Sequence, residues 1–210
     1  PDTSFLHNQS RFFNQTLQFY DRVITTKSLE VPEFQRRMSA ERLLLTTQSY
    51  DQQLHYPRVP FQKKRKEAVL IGLCEASRER CVAALLEAGV PVRIGGRGWE
   101  SFLRRFQRET HLFFEGDAVF AEHYADVLSQ ASIGLGLITK RFAELHTTRT
   151  FEIPACGTAL ATEDNSEIRQ VFGDGDAIFF RDFSDLARQC VGLLNSPQQL
   201  QQISERGRQR

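Results

Sequence analysis

Ala68-Val69-Leu70-Ile71-Gly72-Leu73 is an uninterrupted apolar run bounded by the charged Lys66-Glu67 on one side and Cys74-Glu75 on the other. Six residues is a strand's length rather than a helix's, and the β-branched Val69 and Ile71 favour an extended backbone. A strand that is apolar at every position, not at alternate ones, is covered on both faces. That is the environment of a central strand in a parallel sheet. Ser77 can cap a helix running to about Ala88, and Gly89 can end it.

Outward from this unit the alternation continues. Residues 90–94 form the next strand, closed by Gly95-Gly96-Arg97-Gly98, and residues 111–115 a third, followed by Gly116. Residues 121–130 are helical, 132–138 an apolar strand, 151–156 a helix ended by Gly157, and 159–162 a strand. A short helix over 168–172, a strand over 177–180 and a helix over 184–194 follow. Ser196-Pro197-Gln198-Gln199 opens a closing helix, with serine at the cap and glutamine at the third position. Strands alternating with helices of this length predict an α/β fold with right-handed crossovers and a doubly wound parallel sheet.

Upstream, residues 22–26 and 43–47 read as strands around a helix over 30–38, with Ser28 as its cap and Pro32 in its first turn. This unit is too small to bury both faces and reads as the tail of a preceding α/β domain. Pro57, Pro60 and the run Lys63-Lys64-Arg65-Lys66 punctuate the crossover, the basic run reading as a solvated linker rather than a phosphate contact. The expected organisation is residues 1–60 as the end of a first domain and crossover, 61–195 as the main domain, and 196–210 as a closing helix.

With 27 basic and 26 acidic side chains, the formal charge of +1 gives no reason to expect nucleic acid or an anionic membrane as the main partner. No apolar stretch approaches the roughly 18 residues of a membrane span. The opening Pro1-Asp2-Thr3-Ser4 has no basic leader or signal core and no methionine, so the expectation is part of a longer protein. Cys74, Cys81, Cys156 and Cys190 lack zinc or redox spacing and read as reduced, partly buried thiols of a cytoplasmic protein. His7, His55, His111, His123 and His146 are scattered, and no metal site is expected.

Doubly wound sheets bind ligands at the carboxyl ends of their strands. After the first strand come Arg78 and Arg80 at a helix start, where backbone amides and an arginine can hold a diphosphate; solvent-facing helix charges are the alternative. Glu152 lies between Phe151 and Ile153 near a helix start, with Thr147 or Thr148 as a cap. It can complement the helix dipole or accept hydrogen bonds from vicinal sugar hydroxyls. Glu144 follows the strand over 132–138, either as a ligand contact or as a solvated loop charge.

Arg149-Thr150-Phe151-Glu152-Ile153-Pro154-Ala155-Cys156-Gly157 resembles the donor-site motif of the group 1 glycosyltransferases, which have the GT-B fold. Many of them carry two glutamates separated by seven residues, the spacing of Glu144 and Glu152. The resemblance is strongest to the branch that includes spore maturation protein CgeB. Gly72, Arg78 and Gly96-Arg97-Gly98-Trp99 are similar to that branch's first turns, and Tyr20–Lys27 and Tyr50–Pro57 to the end of its first domain and crossover.

The resemblance implies a transferase of two Rossmann-like domains, the second binding a nucleotide diphosphate sugar that is passed to an unknown acceptor. By it, Glu152 would hold the ribose hydroxyls and Glu144 would face the sugar, with Arg149, Thr150 and Phe151 near the diphosphate or sugar. Gly72, Gly116 and Gly157 would be donor-side positions, and Arg78 would stabilise the leaving diphosphate. No cofactor or metal is implied. Two departures stand out: Ala83 occupies the position, five on from Arg78, where many relatives have lysine, and most of the first domain is missing. Both leave room for a non-catalytic nucleotide- or sugar-binding module of the same fold, or for a structural α/β partner domain.

Overall fold

The computed structural model describes residues 10–140 and 144–210; the readings made at Pro1–Ser4 and at His7 lie outside them. After α1 (Arg11–Thr16), two parallel strands, β1 (Val23–Thr25) and β2 (Leu43–Leu45), pair Val23 with Leu43 and Thr25 with Leu45. Between them lies α2 (Val31–Gln35), whose Phe34 packs with Leu17 and Met38 in a small core. The helix is shorter than expected and Ser28 does not cap it. Residues Ser28–Glu30 form a tight 3-10 turn, and the Ser28 hydroxyl donates instead to Glu167. Ile24 and Leu44, partners in register on one face, are about half exposed or more, so the described residues leave that face of the small sheet bare.

The main sheet has six parallel strands: β3 (Arg65–Ile71), β4 (Val92–Gly95), β5 (Leu112–Phe114), β6 (Ala131–Leu135), β7 (Ala159–Glu163) and β8 (Ile178–Phe180). Their spatial order is β5-β4-β3-β6-β7-β8, the doubly wound order. One face packs α3 (Ala76–Glu87), α4 (Glu100–Arg105) and α8 (Phe183–Leu194) around Leu70, Ile94, Leu135 and Trp99. The other packs α5 (Ala121–Gln130), α6 (Arg149–Ala155) and α7 (Ile168–Val171) around Val69, Leu128, Ile153 and Leu160. The closing helix α9 (Pro197–Arg208) seats Leu200 and Ile203 in the first core.

Two readings of capping and charge are corrected, and a third holds in position only. Glu75, not Ser77, takes the extended cap position of α3, which places Ser77 inside the first turn. Ser196 does occupy the cap of α9, but its side chain makes no capping hydrogen bond. The run 63–66 is no solvated linker: β3 begins within it and Lys64 is only 8% exposed. The Lys64 ammonium donates to the Ser129 carbonyl, to Thr158 Oγ1 at 3.2 Å and to the Cys156 carbonyl at 3.5 Å. Ser129 lies in the last turn of α5 and Cys156 caps α6, so one cation satisfies carbonyls that helix ends leave without partners. Burial pulls the Lys64 pKa down to about 8.

Candidate functional site

The strand order reverses between β3 and β6, and in such sheets the crevice outside the carboxyl ends at that point receives the ligand. The end of β3 is built by close backbone approach. Gly72 N donates to Gly95 O at 2.8 Å and Cys74 N to Arg97 O at 2.9 Å, laying one loop along the next. Gly96 sits at φ +112, where a Cβ would fall 2.4 Å from the Gly72 carbonyl oxygen, so only glycine fits there. The fully buried Trp99 completes the turn, its indole N–H donating to that same carbonyl at 3.0 Å.

Two arginines from different helices meet at Gly72. A methyl group added there would lie 3.0 Å from Arg78 Nη1 and 3.4 Å from Arg149 Nη2. Arg78, in the first turn of α3, is turned inward and 4% exposed; it donates to Leu73 O at 2.8 Å and lies 3.6 Å from Glu75. Arg80, by contrast, is exposed. Arg149, the first residue of α6, donates from Nε to Ile71 O at 3.1 Å. Beside them opens a cavity of about 410 Å³ lined by Gly72, Arg97, Asp117, Phe120 and Arg149. Phe120 is 66% exposed, an apolar ring held at the rim of a cationic crevice.

Glu152, one turn along α6 from Arg149, faces α5 and the crossover. Tyr124 Oη donates to its Oε2 at 2.7 Å, and His55 Nε2 lies 4.0 Å from its Oε1. Burial, and after it the Glu152 carboxylate, hold the Tyr124 pKa well above the ordinary phenol value, with Arg149 pulling the other way. Glu144 is not a solvated loop charge. It forms a buried ion pair with Lys27, which follows β1, at 2.8 Å.

Glu144 and Lys27 lie close in sequence to the lining of a second cavity, of about 500 Å³, walled by Thr26, Ser28 and Thr46 from the N-terminal unit and by His146, Thr150 and Phe151. His146 Nδ1 faces Glu167 Oε2 at 2.7 Å there, and the Thr150 hydroxyl accepts from Thr147 N at 3.2 Å. Gly116, at φ +101, ends β5, and its carbonyl accepts from Gly96 N at 2.9 Å. Gly157 is not brought to the crevice: it ends α6 at the pole opposite Arg149, at φ +67 and against Pro57.

A family model described as glycosyl transferase-like matches residues 77–210, well over half of the chain. The chain belongs to this glycosyl transferase-like family. None of the curated proteins matches it. Among solved structures, TarM of S. aureus superposes with a TM-score of 0.72 at 11% identity, over 95% of this chain and 41% of that one. The pneumococcal O-GlcNAc transferase GtfA, solved with UDP and GlcNAc, gives 0.65 at 17% identity over 97% of this chain and 44% of that one. HepE of Anabaena, solved with UDP-glucose, gives 0.66 at 13% identity over 93% and 60%. At such identities the likeness is one of fold, the GT-B fold expected from the motif. This glycosyl transferase-like chain spans about 41–60% of the length of those three structures.

Sequence reasoning had missed Lys27, Tyr124 and the contact of His55 with Glu152. Their partners are far along the chain, 117 residues away for Lys27 and 28 for Tyr124, and no local pattern marks them. Among the described residues, no group of three or more His, Cys, Asp or Glu side chains could hold a metal ion, and no helix is long and apolar enough to cross a membrane.

Proposed function

We propose that this glycosyl transferase-like chain carries the donor side of a nucleotide-sugar-dependent glycosyltransferase. The observation that carries the reading is the meeting of Arg78 and Arg149 around Gly72 at the switch point of the sheet. In glycosyl transfer the bond between the anomeric carbon and the diphosphate oxygen breaks while an acceptor oxygen bonds to that carbon. Negative charge gathers on the departing diphosphate, and two fixed guanidinium groups stabilise it. Arg149 would supply from α6 the second cation that Ala83 does not provide; Ala83 packs against the core instead. UDP in the structures of GtfA and HepE supports the ligand class.

In this reading Glu152 receives the ribose hydroxyls, Glu144 stands on the sugar side, and Thr150 and Phe151 line the approach from the second cavity. Donor binding uses no metal. The bare face of β1 and β2 belongs against the remainder of a first Rossmann-like domain, which would hold the acceptor. The CgeB-like motif and a reducing, cytoplasmic setting, in keeping with the four free cysteines, complete the proposal. One observation favours a second reading: the Glu144 carboxylate is already engaged by Lys27, as suits a module that binds nucleotide without handling a sugar.

The test is a thermal-melt panel of uridine, guanosine, adenosine, cytidine and thymidine diphosphates and their sugars. Ligand at 100 times Kd stabilises by about 2.7 kcal/mol, a rise of roughly 5–11 °C for a chain of this size. No shift with any of them would sink the reading. Transfer or donor hydrolysis by the full-length protein would separate the enzyme from the module.

A further inference from the structure

Glu152 is approached from two sides by residues outside the motif that contains it. On one side the Tyr124 hydroxyl donates to Oε2 at 2.7 Å. On the other stands His55, 7% exposed, with its ring edge-on to that of Tyr124 at 5.9 Å. Asp51 N donates to His55 Nδ1 at 3.2 Å. A neutral imidazole has one ring proton, so here it sits on Nε2, the nitrogen facing Glu152 Oε1 at 4.0 Å. The turn that aims His55 is itself fixed: Asp51 O accepts from His55 N at 2.7 Å and Asp51 Oδ1 from Gln53 N at 2.8 Å. Three residues on, Arg58 fastens the same segment to α5 through Glu122 and through Asp126 at 3.1 Å.

Three parts of the chain therefore converge on one carboxylate: the crossover, α5 and α6. Oε2 is occupied by the phenol, whereas Oε1 accepts no hydrogen bond from the described residues and faces only the more distant His55 N–H. A glutamate tethered at one oxygen keeps the acceptor capacity of the other for an incoming pair of hydroxyl donors. Arg149, which lines the cationic crevice, stands one turn before Glu152 on α6, so the carboxylate lies next to that crevice.

We infer that Tyr124 and His55 are positioning residues for ribose recognition, fixing Glu152 so that Oε1 meets the 2′ and 3′ hydroxyls and the site selects ribonucleotides over 2′-deoxyribonucleotides. The inference rests on the proposed donor site. Neither residue touches the nucleotide; each acts through Glu152.

The experiment is calorimetric titration of the full chain with three probes: inorganic pyrophosphate, the tightest binder among UDP, GDP and ADP, and the 2′-deoxy form of that nucleotide. The wild type should prefer the ribonucleotide to its deoxy form by roughly tenfold, the worth of one hydrogen bond to a charged group. Tyr124→Phe keeps the ring and removes the donor. It should weaken the ribonucleotide by roughly three- to tenfold, weaken the deoxynucleotide, which keeps its 3′ hydroxyl, by less, leave pyrophosphate nearly unchanged, and so reduce the preference. A folded Tyr124→Phe that keeps the full preference, or that weakens all three probes equally, would overturn the inference. Should Tyr124→Phe fail to fold, His55→Phe, which keeps a ring and removes the donor, carries the same comparison: a reduced preference supports the inference, and a fully retained one overturns it. Nucleotide binding by the wild type without any ribose preference would refute the inference and leave the donor site standing. Failure of the wild type to bind any of the probes would instead remove the donor site, and the inference with it.

Discussion

Gly96→Ala perturbs the site through backbone alone, and its cost can be worked from the structure. At φ +112 an alanine is outside the regions open to L-residues, which costs about 1–3 kcal/mol. Its Cβ would also fall 2.4 Å from the Gly72 carbonyl oxygen, an acceptor held by the Trp99 indole and unable to swing aside as a flexible side chain could. Relieving that overlap by backbone movement costs a further 1–3 kcal/mol or so, the usual range for overpacking. The total of roughly 2–6 kcal/mol lowers the melting midpoint by about 4–24 °C in a chain of this size. The control is Gly116→Ala, at a similar φ of +101 but with nothing within 4 Å of the added methyl, so only the conformational part applies. Urea and thermal unfolding of the two variants isolates the clash. Because Gly72 is where Arg78 and Arg149 meet, Gly96→Ala should also bind pyrophosphate more weakly at temperatures where it remains folded. Equal stability of the two variants would refute the packing argument.

The Lys64 ammonium has a folded pKa lowered by burial to about 8, so between there and the unfolded value near 10.5 the unfolded state binds more protons and stability rises with pH. Relative to Lys64→Met, the wild type should gain about 1.4 kcal/mol per pH unit in that window; a pH-independent difference in urea unfolding free energy would count against the buried charge. Glu152→Ala removes a charged acceptor and should weaken nucleotide binding by roughly ten- to a hundredfold, measured by calorimetry. It also orphans the Tyr124 hydroxyl, so lower stability is expected in any case; unaltered affinity in a folded variant would show that Glu152 does not touch the ribose.

The sheet was legible because its signals are local. The run from Ala68 to Leu73 announces a strand covered on both faces, and the helix over 121–130 was readable to the residue, since composition and period decide such elements. Caps were less legible because a cap is set by backbone angles. Ser28, Ser77 and Ser196 all have the right chemistry, yet the chain gives Glu75 the extended position at α3 and leaves Ser196 without a capping bond. Lys64 was misread for a different reason. A basic run is usually solvated, and its burial follows from two helix ends that arrive from 65 and 92 residues away. At the site, the motif placed Arg149 and Glu152 on α6, and the position of Arg78 after the first strand was readable. What the sequence does not display is their company: Arg149 beside Arg78, Lys27 on Glu144, and Tyr124 and His55 around Glu152 join parts of the chain that meet only in the folded protein.

The central claim is that Arg78 and Arg149 together hold a nucleotide diphosphate without a metal. Its most direct test is calorimetric titration of pyrophosphate and of UDP, GDP and ADP into the wild type, Arg78→Met, Arg149→Met and the double variant, in excess EDTA. The account predicts wild-type binding of pyrophosphate and at least one nucleotide, undiminished by the chelator. Each single variant should lose roughly tenfold or more, since hydrogen bonds between charged groups are worth about 1.5–3 kcal/mol, and binding by the double variant should be below detection. Wild-type binding that disappears in EDTA and returns with a divalent ion would contradict it, as would folded Arg78→Met and Arg149→Met proteins that bind as tightly as the wild type.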